Sequence, residues 1–320
     1  MRGNWSVGPG SFRIGGIALL CLAVLTGLSG CGGGGGSPSS PAIVVNSLLD
    51  DALPPAGTVT LRSALAQAAS GQSITFEQSL NGGTINLIFV GEDHTVLVGE
   101  VMGFDNANNI SYLVGYFPRD YGKSALFANK DVVIDASNLP DGITVSWAGG
   151  DSARVLAVSG DLALTNVSIT GGNSVFSVAA DVGQHPEDDQ TSTLARGAGL
   201  AVWGVATLTD CRIYDNHAVG DDADTSRDGG AYGGGVYADT VVMTNCIVSG
   251  NTVHGGGAAG GGVFSVGGRD TGVSRSSISQ SAITENRITG LFAYGGGVYS
   301  DGGGIGRSTK IGRASCRERV

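Results

Sequence analysis

Between residues 200 and 300 the chain returns to the same residue types every 35 positions. Leu208, Met243 and Ile278 form one such file, and Cys211, Cys246 and Ser281 a second. Ile213, Val248 and Ile283 form a third, and Asn216, Asn251 and Asn286 a fourth. An earlier copy, with Leu164, Val167, Ile169 and Gly172, fits 44 residues upstream. Each unit opens on a glycine and an apolar residue: Gly199-Leu200, Gly235-Val236, Gly262-Val263 and Gly297-Val298. Within a unit the apolar residues alternate with period two, as in strands buried on one face. A unit this small cannot bury that face alone, so it must stack on its neighbours. Short strands such as Val241–Thr244 and Cys246–Val248, broken by Asn and Gly, suit a coil that turns three times. The expected fold is therefore all-β, a right-handed parallel β-helix over residues 124–309. Equivalent residues would stack about 4.8 Å apart. The recurring Asn would sit in a turn, satisfying backbone groups and forming a side-chain ladder. The segments His217 to Tyr232, His254 to Gly260 and Val266 to Arg275 read as loops leaving one corner.

Composition agrees once the period is seen. Fifty-six glycines with only 14% charged residues would otherwise suggest disorder. The formal charge of −10 excludes a nucleic-acid partner, which requires clustered Lys and Arg, and disfavours adhesion to anionic lipid. Residues 42–90 read as an N-terminal cap region. Within it Thr60–Ser70 predicts a short helix over the first coil, with Thr60 as N-cap, Leu61, Leu65 and Ala68 on one face, and Gly71 as the stop.

The two ends follow different rules. Residues 1–30 have Arg2 and Arg13 before an apolar stretch, Ile14 to Leu25, that is short for a membrane span. The stretch ends in Leu28-Ser29-Gly30-Cys31, which resembles a bacterial lipobox. That resemblance implies a cleaved signal peptide, lipid on Cys31, and membrane attachment through it. Gly32 after the cysteine implies sorting to the outer membrane of a Gram-negative cell. Residues 31–41, rich in Gly, Ser and Pro, read as a flexible tether. Residues 310–320, KIGRASCRERV, break the repeat. Ile311 to Val320 is what one frame of a common sequencing adapter encodes, so this segment is expected to be artefact and the natural protein to continue after Thr309. Cys211 and Cys246 are then the cysteines of the fold, read as stacked core thiols in preference to a disulfide.

Residues 43–87 resemble the N-terminal CSLREA-type region of bacterial surface β-helix proteins, with Leu61-Arg62-Ser63-Ala64-Leu65 in the place of the naming motif. Thr60 stands where that motif has Cys-Ser, and Ala64 where it has Glu. Ile134 to Pro140 and Leu164 to Gly172 resemble the following coils, and the later Gly-Gly-Val and Asn spacing resembles polymorphic outer-membrane protein repeats. The resemblance implies a surface-displayed β-helix. Residues 91–123, with Phe104, Tyr112, Tyr116, Phe117 and Tyr121, fit no repeat and read as an inserted hairpin or flap.

Candidate chemistry is sparse. The carboxylates cluster in segments between strands, and His185, His217 and His254 are scattered. Asp222, Asp224 and Asp228 alternate as in a Ca²⁺ loop. Arg227 occupies the glycine position and Gly233 the closing glutamate, which favours a solvated acidic loop. If Val236, Val263 and Val298 face inward, then Tyr237, Phe264 and Tyr299 face outward on consecutive coils, with Trp203 on the same parity. Such a row is either a platform for sugar rings or a secondary core beneath glycine-rich loops. The function expected is a cell-envelope structural or adhesin-like lipoprotein that binds polysaccharide or cell-surface glycan. The alternative is a polysaccharide lyase or glycoside hydrolase whose catalytic coils lie beyond this chain.

Overall fold

A computed structural model describes residues 40–91, 95–105, 110–120, 123–175, 177–178, 192–193, 195–220, 230–267, 276–300 and 315–318. The chain divides into two compact units, Met1–Pro38 and Ser39–Val320, and every described residue belongs to the second. That unit is an all-β parallel solenoid with one α-helix among its described residues.

Five columns of short parallel strands run along the stack. The first holds Ser124–Ala128, Arg154–Val158, the start of Leu200–Thr209, the start of Val236–Thr244, Val263–Ser265 and Val298–Ser300. The second holds Ile43–Val45, Ser73–Phe76, Val132–Asp135 and Leu162–Thr165, then the ends of the two long strands, then Ser277–Ser279. The third runs from Thr84–Leu87 through Ile143–Trp147, Val167–Thr170, Arg212–Tyr214 and Ile247–Ser249 to Ala282–Thr284. The fourth begins at Asn173–Val175 and the fifth at Ala195–Arg196.

The lower coils therefore turn through three strands, as the sequence predicts, while the upper coils turn through five. The two extra columns draw largely on residues that read as loops: His217–Val219, Ala231–Tyr232 and Gly257–Ala259 are strands, and His254 ends the strand Thr252–His254. Nor do the excursions leave from one corner. Segments 176–194 and 220–230 separate columns four and five, whereas 266–276 separates columns one and two. The coil from Val236 to Val263, lacking both, closes in 27 residues. The 35-residue period arises because insertions at two different corners add similar lengths.

The files found in the sequence hold in register. Leu164, Leu208, Met243 and Ile278 align, as do Ile169, Ile213, Val248 and Ile283. They fill the main core enclosed by columns one to three. A second core of small residues, with Ala195, Ala218, Ala231, Val253, Ala258 and Ile288, lies between columns four and five.

A waist separates the two cores. Asn216, Asn251 and Asn286 are buried there, and each carboxamide links consecutive coils. Asn251 Nδ2 donates to Asn286 Oδ1 at 2.9 Å and to the Ile213 carbonyl at 2.9 Å. Its Oδ1 accepts from Asn216 Nδ2 and from the Asn216 backbone amide. Opposite the ladder, the glycine clusters leave no space for a side chain. A Cβ on Gly235 would lie 2.7 Å from the Gly262 carbonyl and 3.1 Å from the Asn251 carboxamide. The glycines and the asparagines that define the repeat are thus two sides of one contact.

The helix spans Leu61–Gln67, shorter than the predicted Thr60–Ser70. Thr60 Oγ1 accepts from the Ser63 amide and Ser63 Oγ accepts from the Thr60 amide, a reciprocal N-terminal cap. Ala68 already has extended ψ, so the helix stops before Gly71. Leu61, Leu65 and Ala68 are buried in the main core. Arg62 pairs with Asp50 at 2.6 Å and donates to the carbonyls of Ala125 and Phe89. Asp50 in turn accepts from the amides of Ile88 and Phe89. This clamp fastens the cap to the first coils. Between Gly91, whose amide donates to the Ser124 carbonyl, and Ser124, strands Thr95–Asp105 and Ile110–Asp120 form an antiparallel hairpin. It pairs with no other described strand. Ser315–Glu318, in the segment expected to be adapter-derived, lies parallel on Arg287–Gly290.

Candidate functional site

Aromatic rings, buried thiols and a polar corner groove are the features from which a site could be built. The aromatic row begins with strand parity: Val236 and Val263 enter the main core, which turns Tyr237 and Phe264 to the other face. Of the two readings of this row, the structure matches the secondary core for Tyr237 and Phe264. Tyr237 and Phe264 are each 7% exposed, while Trp203 and Tyr299 are half-buried. Their cover comes from the fifth column, whose outward file is Arg196, Tyr232, Ala259 and Tyr294.

The tight glycine turn between columns five and one folds these two files against each other. Tyr237 and Phe264 stack with centroids 5.4 Å apart and planes 5° apart, and Phe264 and Tyr299 stack at 5.4 Å. Tyr232 tilts onto Phe264 at 5.0 Å, and the Arg196 guanidinium lies 5.4 Å from the Tyr237 ring. Stacking and cation–π contact make the row a satellite core along the outside of the coils. Trp203 stands two residues beyond Ala201, the residue in register with Tyr237, where the strand shifts register between Val202 and Val205. The indole lies beside the file, 6.3 Å from Tyr237, with the buried Arg154 guanidinium 5.9 Å from its ring.

Cys211 and Cys246 are free thiols, buried on successive coils, with Ser281 completing the file. Cys211 Sγ donates to the Leu164 and Thr209 carbonyls, and Cys246 Sγ to those of Leu208 and Thr244. The hydrogen bond with Cys246, together with burial, pushes the Cys211 thiol far up from its ordinary range. Both are buried core groups.

The corner between columns two and three was not recognised as a site from sequence. Asn166, Asp210, Asn245 and Gln280 occupy it, all with φ between 51° and 55°. This left-handed conformation turns the chain and is best tolerated by Asn and Asp. Asn245 Nδ2 donates to Asp210 Oδ1, and Asn166 Nδ2 donates to the Leu139 carbonyl. Beside them, an open groove of about 690 Å³ crosses successive coils, bordered by Ser137, Asp210, Arg212, Asn245, Ile247 and Gln280. Thr165, Thr209, Thr244 and Ser279, each one residue before these corner residues, stand in register with one another. The sequence signal was available, since a polar residue precedes every Val167/Cys211/Cys246/Ser281 position. The groove offers a file of amides and a carboxylate on successive coils, with one guanidinium, Arg212, one hydroxyl, Ser137, and an exposed aliphatic, Ile247, at 38%.

Cys31, the proposed lipidation residue, and Asp222, Asp224 and Asp228, the candidate Ca²⁺ ligands, lie outside the described residues. Among the described residues no helix is long and apolar enough to cross a membrane. Compared with protein-family models, with curated proteins and with solved structures, the chain matches none.

Proposed function

We propose that this protein is an exported, lipid-anchored β-helix of the bacterial envelope that acts as a rigid stalk and binds an extended glycan along its corner groove. One observation carries the reading: the polar groove follows the stack axis across several coils, on a surface kept rigid by the Asn ladder and glycine waist. A linear sugar chain presents repeating hydroxyls that such a file of amides and a carboxylate can meet. Ile247 offers the apolar contact that sugar C–H faces need. The stack is taken as right-handed because parallel crossovers adopt that hand almost without exception. Lipid anchoring rests on Leu28 to Cys31 and the tether that follows. The aromatic row contributes stability to the stalk.

Affinity electrophoresis through gels containing plant, algal or bacterial polysaccharides tests the glycan claim. Retardation by at least one polymer is expected, with Asp210→Ala and Arg212→Ala, both at exposed positions, each weakening it by roughly tenfold. Retardation that survives both changes would remove the groove from the account. Loss of polymer length or viscosity would instead favour the lyase or hydrolase reading.

A further inference from the structure

We propose that Cys211 and Cys246 form a site for one soft monovalent metal ion, Cu(I), held between their two sulfurs along the stack axis. The two thiols are free and each is 1% exposed. They stand on successive coils, where the Ile247 amide donates to the Cys211 carbonyl at 2.9 Å. Each makes the same pair of contacts, one coil apart. Cys211 Sγ lies 3.4 Å from the Leu164 carbonyl oxygen and 3.2 Å from that of Thr209. Cys246 Sγ lies 3.3 Å from those of Leu208 and Thr244. Leu164 and Leu208 are register partners, as are Thr209 and Thr244. The two sulfurs are therefore related by the step between coils, about 4.8 Å.

That separation selects the chemistry. A disulfide needs its sulfurs about 2.05 Å apart, so stacked residues would have to leave their places to form one. Two thiolate–metal bonds of about 2.3 Å laid end to end span about 4.6 Å. An ion that takes two ligands in line fits the existing spacing. Soft thiolates select Cu(I), whereas zinc asks for four ligands and this file offers two. The file continues with Ser281 above the pair and Val167 below it, so it holds room for a single ion.

Ser281 separates the structural task of the file from the sulfur. Its Oγ accepts from the Cys246 amide at 3.0 Å, and the sulfurs of Cys246 and Cys211 accept in the same way from the amides of Cys211 and Val167. The ladder needs an acceptor at each coil, and oxygen suffices. Those same amides stabilise a bound thiolate pair, because a hydrogen bond to the charged form favours it. The hydrogen bond shared with Cys211 holds the Cys246 thiol below its ordinary range, so Cys246 ionises first. Two thiols and one Cu⁺ give a bis-thiolate complex of charge −1 and two H⁺, with no change of oxidation state. Both residues border the corner groove, from which the ion enters.

The test uses the full chain carrying Cys21→Ser, Cys31→Ser and Cys316→Ser, which leaves the pair as its only thiols. The reduced protein is titrated without oxygen with Cu(I) buffered by bathocuproine disulfonate. A parallel sample is refolded from urea with Cu(I) present, because buried thiols load slowly. One Cu(I) per chain is expected, with ultraviolet thiolate-to-copper absorbance, two sulfur neighbours by X-ray absorption, and retention against excess Zn(II). Adding Cys211→Ser or Cys246→Ser should weaken binding by about a hundredfold or more, beyond the roughly 10–100-fold lost with a group that merely orients a ligand. Ser281 shows that the file accepts serine, so both variants should fold, which circular dichroism checks. If one does not fold, the sulfur count of the parent decides alone. No Cu(I) taken up in either sample, unchanged affinity in a folded serine variant, more than two sulfur neighbours, or displacement by Zn(II) would each overturn the proposal.

Discussion

Asn251 makes one carboxamide serve three coils. It donates to the coil below and to Asn286 above, and accepts from the amide and carboxamide of Asn216. Replacing it by alanine leaves several buried polar groups without partners, each costing about 1–3 kcal/mol. Asn251→Ala is expected to lower stability by about 3 kcal/mol or more, read from the urea midpoint at unchanged slope. The facing glycines make the complementary prediction. A Cβ on Gly261 would lie 2.2 Å from the Gly296 carbonyl, whereas one on Gly150 meets nothing within 4 Å. Gly261→Ala should cost about 3 kcal/mol and Gly150→Ala less than about 0.5 kcal/mol. Equal midpoints for the two would remove the steric account of the waist. The Asn and Gly spacings were plain in the sequence, but their contact across the coil was not, because it joins positions on opposite sides of a turn of unknown shape.

At the scale of the element, the strands of columns two and three could be read from sequence because Leu, Met, Ile and Val mark every second position. Columns four and five could not. Their core is built mostly of alanines, Ala195, Ala198, Ala218, Ala231 and Ala258, with only Val253 and Ile288 as larger apolar side chains to announce it. The aromatic row shows a different gap. Parity placed Tyr237 and Phe264 on the outer face, but what covers them comes from a column the sequence had hidden. The helix was legible through Thr60, and its Arg62 turned out to be the clamp on Asp50. Arg62→Ala leaves a carboxylate that is 1% exposed without its partner. A loss of about 3–5 kcal/mol is expected in thermal or urea unfolding. A loss below about 1 kcal/mol would show that the backbone amides of Ile88 and Phe89 suffice for Asp50.

For the whole molecule, each coil contacts only its neighbours, so the solenoid transmits rigidity along its axis through backbone hydrogen bonds and the Asn ladder. Under the proposed function, the corner groove that crosses successive coils is the surface that meets the ligand. All of this depends on residues 35 apart being stacked neighbours. The direct test is a nuclear Overhauser spectrum of the Ser39–Val320 unit, isotopically labelled, examined at the third column. Contacts are predicted from the Ile247 amide to the protons of Cys211 and Arg212, and from the Ala282 amide to those of Cys246 and Ile247. Contacts between Arg212–Tyr214 and His217–Val219 in an antiparallel pattern, with the 35-residue pairs missing, would contradict the solenoid.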